Sequence, residues 1–299
     1  MNAPDKASGV SVITGMTSGL GRALFFELAH EGGPVIAVSR AGERSRRVVE
    51  EALARTDNSD LHLVEADLAL LADVRRAADE IDQLCAERGV GRLVLNAATL
   101  TATSERTPEG FEKMFAVNHL SSAALALALE VPLKRASSPA AQVCVVSSDA
   151  HRWVAEVPLE LFSKGDAGTK LTPLKLYSAT KLAGLVFFAE LARRWPEIRM
   201  TAHHPGFVST GLGLRGPWWL RFWWRLSRWR MRRPMEAARE LLAIAKNAQA
   251  VAEAEDGQLI YWEKAERYPL PAACEDAETL ARVWQQTLAA IEMAAAAAD

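Results

Sequence analysis

Residues 10–30 read VSVITGMTSGLGRALFFELAH, and this stretch decides the fold. Val10 to Thr14 is a run of strand character, and Leu20 to His30 is a run of helical character. Between them Gly15, Gly19 and Gly21 are spaced G-x-x-x-G-x-G. Glycines at the first strand-to-helix junction let the backbone turn tightly and approach a pyrophosphate, whose charge then sits at a helix N-terminus. The spacing differs from the commoner G-x-G-x-x-G, but the physics is the same. A flexible turn alone would not require three glycines here. The loop predicts a dinucleotide site built on Gly15, Thr17, Ser18, Gly19, Leu20 and Gly21.

Short β-branched runs and longer helical stretches keep alternating downstream. Strands are expected at Pro34–Ser39, Leu61–Ala66, Leu93–Asn96, Gln142–Ser147, Ile198–His203 and Gln258–Trp262. Helices are expected at Glu43–Arg55, Leu71–Arg88, Pro108–Lys134 and from Tyr177 to Trp195, the last preceded by a polar loop with Gly165, Gly168 and Pro173. Strict alternation predicts an α/β fold, a Rossmann-type doubly wound parallel sheet of about seven strands with helices on both faces. No linker or composition break precedes residue 210, so residues 1–299 read as a single dinucleotide-binding domain. A helical insertion over 215–250 would serve as a substrate lid. The alanine-rich tail, Ala294 to Ala298, reads as frayed.

Composition narrows the classes. The chain has 299 residues, 49% of them hydrophobic and 24% charged, with a net charge of −2. That is enough chain to bury a large core, and the charge argues against a polyanion binder. Cys85, Cys144 and Cys274 lack metal-ligand spacing, and their odd, sparse number suits a reducing compartment. The N-terminus, MNAPDKASGV, lacks an apolar signal stretch. The longest apolar run, Leu120 to Leu133, is broken by Ser121, Ser122 and Glu130 and is too short to span a bilayer. The expectation is a cytoplasmic protein.

The second strand ends at Val38-Ser39-Arg40, about eighteen residues after Gly21. An acid at this place would hold the ribose 2′-hydroxyl of NAD(H). Here stand Ser39 and Arg40, with Arg44, Arg46 and Arg47 beyond. A carboxylate would repel a 2′-phosphate and a guanidinium attracts one, so NADP(H) is the expected cofactor, with Arg40 the first candidate. Arg44, Arg46 and Arg47 also fit a solvated helix face. Asp67, with Leu68 beside it, ends the third strand. Its carboxylate could accept from an adenine amino group, or cap the following helix.

Tyr177-Ser178-Ala179-Thr180-Lys181 puts a phenol and an ammonium on one helix face at i, i+4. A free phenol, with a pKa of about 10, is a poor acid or base near neutrality. A fixed ammonium favours the phenolate and would bring it within reach of proton transfer. Taken in order, the glycine loop, Asn96, Ser148 and the Tyr177–Lys181 pair make the chain resemble the short-chain dehydrogenase/reductase family, from about residue 10 to residue 290. It is most similar to the subgroup holding retinol dehydrogenases and light-dependent protochlorophyllide reductases. That likeness rests on Val117-Asn118-His119-Leu120, Ser147-Ser148-Asp149-Ala150-His151, the helix from Lys181 to Ala192, His204-Pro205-Gly206-Phe207-Val208-Ser209-Thr210, and Leu280-Ala281-Arg282-Val283-Trp284.

The resemblance implies a catalytic set. Tyr177 would be the proton donor for carbonyl reduction or the base for alcohol oxidation. Lys181 would lower its pKa and hold the nicotinamide ribose. Ser148, rather than Ser147, would hydrogen-bond the substrate oxygen, and Asn118 would hold a water in a relay through Lys181. Cofactor contacts would also come from Asn96, Ala97, Pro205, Gly206, Val208 and Thr210, with the Pro205-Gly206 pair and Thr210 on the carboxamide. His151, His203 and His204 are not metal ligands on this reading. The family usually carries Asn-Asn-Ala-Gly at the end of the fourth strand. Leu95-Asn96-Ala97-Ala98 stands here, so a side-chain hydrogen bond is lost and Ala98 is expected to crowd the loop.

Residues 215–233, RGPWWLRFWWRLSRWRMRR, hold five of the nine tryptophans, seven arginines and no acid. Pro217 can start a helix and Pro234 can end one. Arg221, Arg225, Arg228 and Arg232 would form one stripe, with Trp219, Phe222, Trp223, Leu226 and Trp229 on other faces. A basic aromatic helix reads as membrane-surface binding. In the family this position covers the substrate pocket. A lid over an apolar substrate, a peripheral membrane contact through 217–233 and a helix packed into the core or a subunit interface all stay open. Nucleic acid is not an expected partner, because the basic patch is confined to one helix.

The expected activity is therefore NADP(H)-dependent interconversion of a carbonyl and an alcohol on a large apolar small molecule, retinoid-, steroid- or polyketide-like. Reduction of a C=C bond, as in protochlorophyllide reductases, and a non-catalytic NADP-binding scaffold at a membrane surface are the rivals. The family often pairs through the helices holding Asn118 and Tyr177, which implies a homodimer.

Overall fold

The computed structural model describes residues 9–136, 141–165, 171–209, 211, 216–226, 228–246 and 257–296. Thr210 and the side chains of Trp219, Trp223 and Arg228 lie outside the described residues. Eight strands form one sheet: β1 (Val10–Thr14), β2 (Val35–Ser39), β3 (Leu61–Glu65), β4 (Val90–Leu95), β5 (Gln142–Val146), β6 (Arg199–His204), β7 (Leu259–Glu263) and β8 (Glu266–Tyr268). Their order is β3-β2-β1-β4-β5-β6-β7-β8. All neighbours are parallel except β7 and β8, which form an antiparallel edge pair. The expected seven strands become eight because Glu266-Arg267-Tyr268, exposed throughout, folds back on β7 through backbone pairing that leaves no apolar pattern.

Buried strands pack on both faces, so neighbouring residues serve opposite layers. Val12, Ile36, Val38, Leu93, Leu95, Val143 and Val145 face one core. Helices α3 (Leu71–Cys85), α5 (Ser121–Ala128), α7 (Pro173–Arg194) and α10 (Ala277–Ala295) contribute to that core. Ile13, Val35, Ala37, Val94, Cys144 and Val146 face the other, covered by α1 (Gly19–His30), α2 (Glu43–Arg55) and α9 (Pro234–Lys246). Because α9 buries Ala237, Ala238, Leu241 and Leu242 in this second core and ion-pairs with α1 through Arg239–Glu27, it covers the sheet. The lid expected over 215–250 is thereby shortened to its first part.

The stretch expected as one helix from Pro108 to Lys134 is divided into α4 (Lys113–Phe115), a π-helical turn (Ala116–Leu120), α5 and α6 (Glu130–Arg135). A π turn carries one extra residue and commonly marks a functional position; Asn118 is its middle residue. The following α7 begins with Pro173 in its first turn, where the missing N–H costs nothing. It is buried almost all round from Leu176 to Ala192.

The C-terminal α10 packs across α7. Trp284 stacks on Phe187 with ring centroids 5.1 Å apart, and Arg194 lies over the Trp284 ring at 4.2 Å. Thr287 hydrogen-bonds the buried ring of His119 at 2.9 Å. Truncating Phe187 to alanine would cost about 3–5 kcal/mol. Of the tail expected to fray, Ala294 and Ala295 are helical and Ala294 is buried, because this helix docks along its length, while Ala297 and Ala298 lie outside the described residues.

Candidate active site

The glycine loop joins β1 to α1 and is drawn tight by packing. Gly15 has φ +77°. A Cβ on Gly21 would lie 2.2 Å from the Gly15 carbonyl oxygen and 2.3 Å from Asn96 Nδ2, so only glycine fits. Asn96 fastens the loop to β4: its amide donates to the Thr14 oxygen at 2.9 Å and the Gly15 oxygen at 3.2 Å. Thr14 Oγ1 accepts from the Asn96 and Ala97 N–H groups in return. Leu95 is buried in the core where the family has its first Asn. Ala98 does not take a positive φ, so its backbone does not demand the glycine of the family pattern.

At the start of α1, Ser18 occupies the N-cap position in an extended conformation and its side chain makes no cap hydrogen bond. No acid lies in the first turn. The N–H groups and dipole of this helix are thus free of side-chain competition for an anion. A cleft of about 470 Å³ opens beside it, lined by Thr17, Ser18, Gly19, Arg22, Arg44 and Arg47 with Glu43, Val48 and Glu51. Arg22 is paired to Glu51, and Arg47 to Glu43. Arg44 makes no ion pair among the described residues, and neither does Arg40, which is exposed just outside the cleft. Ser45 caps the turn by donating to the Arg40 and Gly42 carbonyls. The open helix end, the glycines and the unpaired guanidiniums fit a dinucleotide with a phosphorylated ribose.

The other cofactor-side residues line the C-terminal ends of the strands. Ser39 is buried at the end of β2 and Leu68 is buried after β3. Asp67 Oδ1 accepts from Ala69 N–H at 3.0 Å, so one carboxylate oxygen closes the local turn. Leu20 is buried in α1, and Ala97 packs against the core after β4. Gly206 has φ +76°, and Val208 pairs with Arg232 in an isolated bridge.

Arg232 was expected on a helical stripe with Arg221, Arg225 and Arg228. The helix instead ends early: α8 (Trp218–Leu226) is followed by a 3₁₀ turn, Arg228–Arg230, and then by the bridge. The break has a long-range cause. Arg232 donates to the Pro205 oxygen at 2.9 Å and to both oxygens of Glu240, at 3.1 and 2.7 Å. Backbone bonds Arg232 N–H to Phe207 O and Ser209 N–H to Arg232 O complete the tie. Arg232 therefore clamps the Pro205–Val208 loop, a role that its sequence neighbours conceal. The one local signal was a Glu two helical turns downstream.

Tyr177, Lys181, Ser148 and Asn118 come together where α7 passes the ends of β4 and β5. The Ser148 hydroxyl lies near enough to the Tyr177 phenol to favour its ionised form against burial. Ser148 Oγ also accepts from the Ala150 N–H at 3.2 Å, which fixes it at the head of a 3₁₀ turn, Asp149–Trp153. His151 Nδ1 lies 2.7 Å from the Ser148 carbonyl. Ser147 extends the sheet through its N–H to the His203 oxygen at 2.7 Å, and its hydroxyl is buried. Ser148 is thus the serine that faces Tyr177.

Lys181 is buried, donates to the Val146 oxygen at 2.8 Å and lies 5.8 Å from the centroid of the Tyr177 ring. Burial dominates both groups. It pushes the Tyr177 phenol up to about 12, opposed by the Ser148 hydrogen bond, and pulls the Lys181 ammonium down to about 8. The phenol stands above its ordinary value where the lysine was expected to lower it, because desolvation penalises a phenolate in this core and the opposing influence is Ser148. Asn118 is held on several sides. Its Oδ1 accepts from the Thr99 N–H at 2.7 Å, and its Nδ2 donates to Thr99 O at 3.0 Å and Thr180 Oγ1 at 3.1 Å. These three bonds make the side chain a brace between the β4 loop, the π turn and α7.

Among the described residues no group of His, Cys, Asp and Glu could hold a metal ion. His203 and His204 are buried on β6, with burial lowering the pKa of each.

Residues 9–157 match the family described as short chain dehydrogenase. Polyprenol dehydrogenase of Mus musculus is 30% identical over 292 residues, which are 95% of this chain and 84% of the relative. Retinol dehydrogenase 14 of Mus musculus is 36% identical over 68% of this chain and 62% of its own length. A crystal structure from Mycobacterium Paratuberculosis, of an uncharacterized protein, superposes with a TM-score of 0.69 at 28% identity, covering 97% of this chain and 96% of that one. The chain belongs to the short-chain dehydrogenase/reductase family, with retinol dehydrogenase-like relatives. Across the first several curated relatives the match spans 52–67% of their length.

Proposed function

We propose that the protein is an NADP(H)-dependent oxidoreductase that interconverts a carbonyl and an alcohol on a large apolar small molecule, with Tyr177 as the proton carrier. The observation that carries this reading is the meeting of the Tyr177 phenol, the Ser148 hydroxyl that acts on it and the buried Lys181, whose Nζ lies 5.8 Å from the Tyr177 ring centroid. The dinucleotide, when bound, supplies or accepts the hydride. Ser148 holds the substrate oxygen and steadies charge developing on it. Tyr177 gives its hydroxyl proton to that oxygen during reduction and takes it back during oxidation. A phenol kept protonated by burial suits the donor role in reduction, while the net direction follows the supply of reduced or oxidised cofactor. Lys181 supplies a cation within reach of the phenolate oxygen left behind, and the glycine loop with Arg40 and Arg44 supports NADP(H) over NAD(H).

The apolar substrate is argued from the rim. Trp153, five residues after Ser148, and Phe207, after the Pro205-Gly206 pair, are 58% and 60% exposed. On α8, Trp224 meets Phe207 at 5.2 Å and Leu220 packs toward Leu100. These side chains, with the 215–233 segment as lid, offer an apolar wall at the mouth of the site. The retinol and polyprenol dehydrogenase relatives act, by name, on long apolar alcohols. A C=C reductase would not need the Ser148 hydroxyl directed at the phenol, and a scaffold would need neither hydroxyl. Pairing of two copies through α5 and α7 would have to displace or accommodate α10, which lies across α7.

The test is NADPH oxidation with a panel of apolar ketones and aldehydes. Wild type is expected to turn over at least one of them, and Tyr177→Phe is expected to lose that turnover while still quenching on NADPH addition. Turnover surviving in Tyr177→Phe would remove the catalytic assignment. NADPH binding without turnover of any carbonyl would favour the scaffold.

A further inference from the structure

The α8 helix faces two ways. Leu220 and Trp224 turn inward, against the core near Leu100 and against Phe207. Trp218, Phe222 and Leu226, spaced i, i+4, i+8, turn outward and are 79%, 61% and 56% exposed. Trp229, in the next turn, is 77% exposed. A protein that folds in water does not ordinarily leave so many large apolar side chains contiguous on one surface. Exposure of a lone leucine would need no explanation, but a row of two tryptophans, a phenylalanine and a leucine on one short segment does.

Arginines flank this row. Arg221 and Arg225 lie on the same outward sector, exposed, and make no ion pair among the described residues. Arg230 follows, with its guanidinium over the Trp229 ring at 4.9 Å. No acid occurs from Arg199 to Met235, so nothing in the sequence of this segment neutralises the charge. Elsewhere on the molecule most exposed arginines sit in ion pairs, as Arg46–Glu65, Arg88–Asp60 and Arg135–Asp82 do. Apolar side chains at the centre, cations at the edge and aromatic rings between them match the depth profile of an anionic bilayer surface: hydrocarbon, then interface, then phosphate.

We propose that α8 and the Arg228–Arg230 turn dock the protein on an anionic phospholipid surface, with Trp218, Phe222, Leu226 and Trp229 in the interface and Arg221, Arg225 and Arg230 on lipid phosphates. Resting on the function proposed above, this names where the substrate comes from: a molecule dissolved in the bilayer, entering along the inward face of the same helix. No described helix is long and apolar enough to cross a membrane, so attachment by this surface would be peripheral and reversible.

The test uses the full chain and two sets of vesicles, phosphatidylcholine alone and phosphatidylcholine with phosphatidylglycerol. Co-sedimentation should favour the anionic vesicles by tenfold or more, fall as salt is raised, and carry a blue shift of tryptophan fluorescence. Arg221→Gln with Arg225→Gln should weaken anionic binding on the order of 30-fold, from roughly 1 kcal/mol for each cation near the surface. Trp218→Gln with Phe222→Gln should remove the blue shift. Thermal unfolding of each variant checks that it is folded. Absence of wild-type binding to either vesicle overturns the proposal, as does binding that both variants retain. A stable dimer in solution that the Trp218/Phe222 variant dissolves, without vesicle binding, assigns the row to a second copy and also overturns it. Vesicle binding needs neither cofactor nor turnover, so its failure is separate from failure of the proposed activity.

Discussion

Helices α7 and α8 are built from similar residues and treat them in opposite ways. Both carry aromatic rings and cations. In α7, Phe187, Phe188 and Lys181 are buried between the sheet and α10, while in α8 Trp218, Phe222 and Arg225 are exposed. Burial is what gives α7 its chemistry: desolvation alone brings Lys181 down to about 8 and fixes Tyr177 as a held proton. Solvent leaves the α8 arginines as plain charges, suited to recognition. Under the two proposals, the same composition would serve proton transfer in one place and surface attachment in another, and the neighbours decide which.

The largest effect expected from this contrast is on turnover. Tyr177→Phe should lower kcat by about a thousandfold, within the range of a lost general acid, with NADPH affinity nearly unchanged. Phe222→Gln should change turnover of a water-soluble carbonyl by less than about twofold, since its side chain faces outward. Steady-state kinetics of the two variants side by side checks the contrast. Equal losses would mean that α8 belongs to the chemistry and that the two helices are not separate in role.

Most of the α7 side of this comparison was legible in the sequence. The strand Val10–Thr14 and the helix Glu43–Arg55 fall on their expected residues, because β-branched runs and amphipathic spacing are local signals. Tyr177 and Lys181 meet by helical period alone. What escaped was set by distant residues. The π turn at Asn118 adds one residue to a helix without changing its composition. Glu266–Tyr268 pairs through backbone with no apolar face. The break after Leu226 depends on Arg232 reaching Glu240 and Pro205, which a period of 3.6 does not reveal. The basic run after β2 announced a phosphate site, but only the folded cleft distinguishes Arg44, unpaired on its wall, from Arg47, engaged by Glu43.

Those arginines give the next effect. Arg40→Glu with Arg44→Glu should weaken NADPH by roughly ten- to a hundredfold, the loss of charge-assisted contacts to a 2′-phosphate, and leave NADH within a few fold. Fluorescence titration with both dinucleotides reads the ratio. An unchanged ratio would leave the cleft beside α1 without its proposed ligand and limit the chemical role of cations to α7.

Arg232 joins the two regions, since it follows α8 and clamps the loop proposed to meet the nicotinamide. Arg232→Gln breaks the paired contact with Glu240 and loosens Gly206, whose φ of +76° already restricts the loop to glycine. The expected result is a severalfold rise in KM for NADPH with a smaller change in kcat, partly restored by Arg232→Lys, which keeps one donor. A variant with lower thermal stability and unchanged KM would make the clamp structural only.

The smallest effect concerns stability and pH. His119, in the π turn, is enclosed by Phe115, Phe162 and Phe187, and burial pulls its pKa down to about 3. The unfolded chain takes up a proton near pH 6.5 that the folded chain refuses until about pH 3. Between those values the unfolded state holds more protons, so stability falls as the pH falls, by up to about 1.4 kcal/mol per pH unit for one such group. His203, also held at about 3 by burial, acts in the same direction. His119→Gln keeps a donor for Thr287 and removes one titration, so its unfolding free energy should decline less steeply than wild type between pH 6.5 and 4.5. Urea unfolding at several pH values measures both slopes, and parallel curves would remove His119 from the account. Removing the outward arginines of α8 should leave the slope untouched, because they lie in solvent, away from the buried histidines that set it. The acid response would then belong to the buried core against which α7 packs and not to the exposed face of α8, because only a buried group makes protonation conditional on the fold.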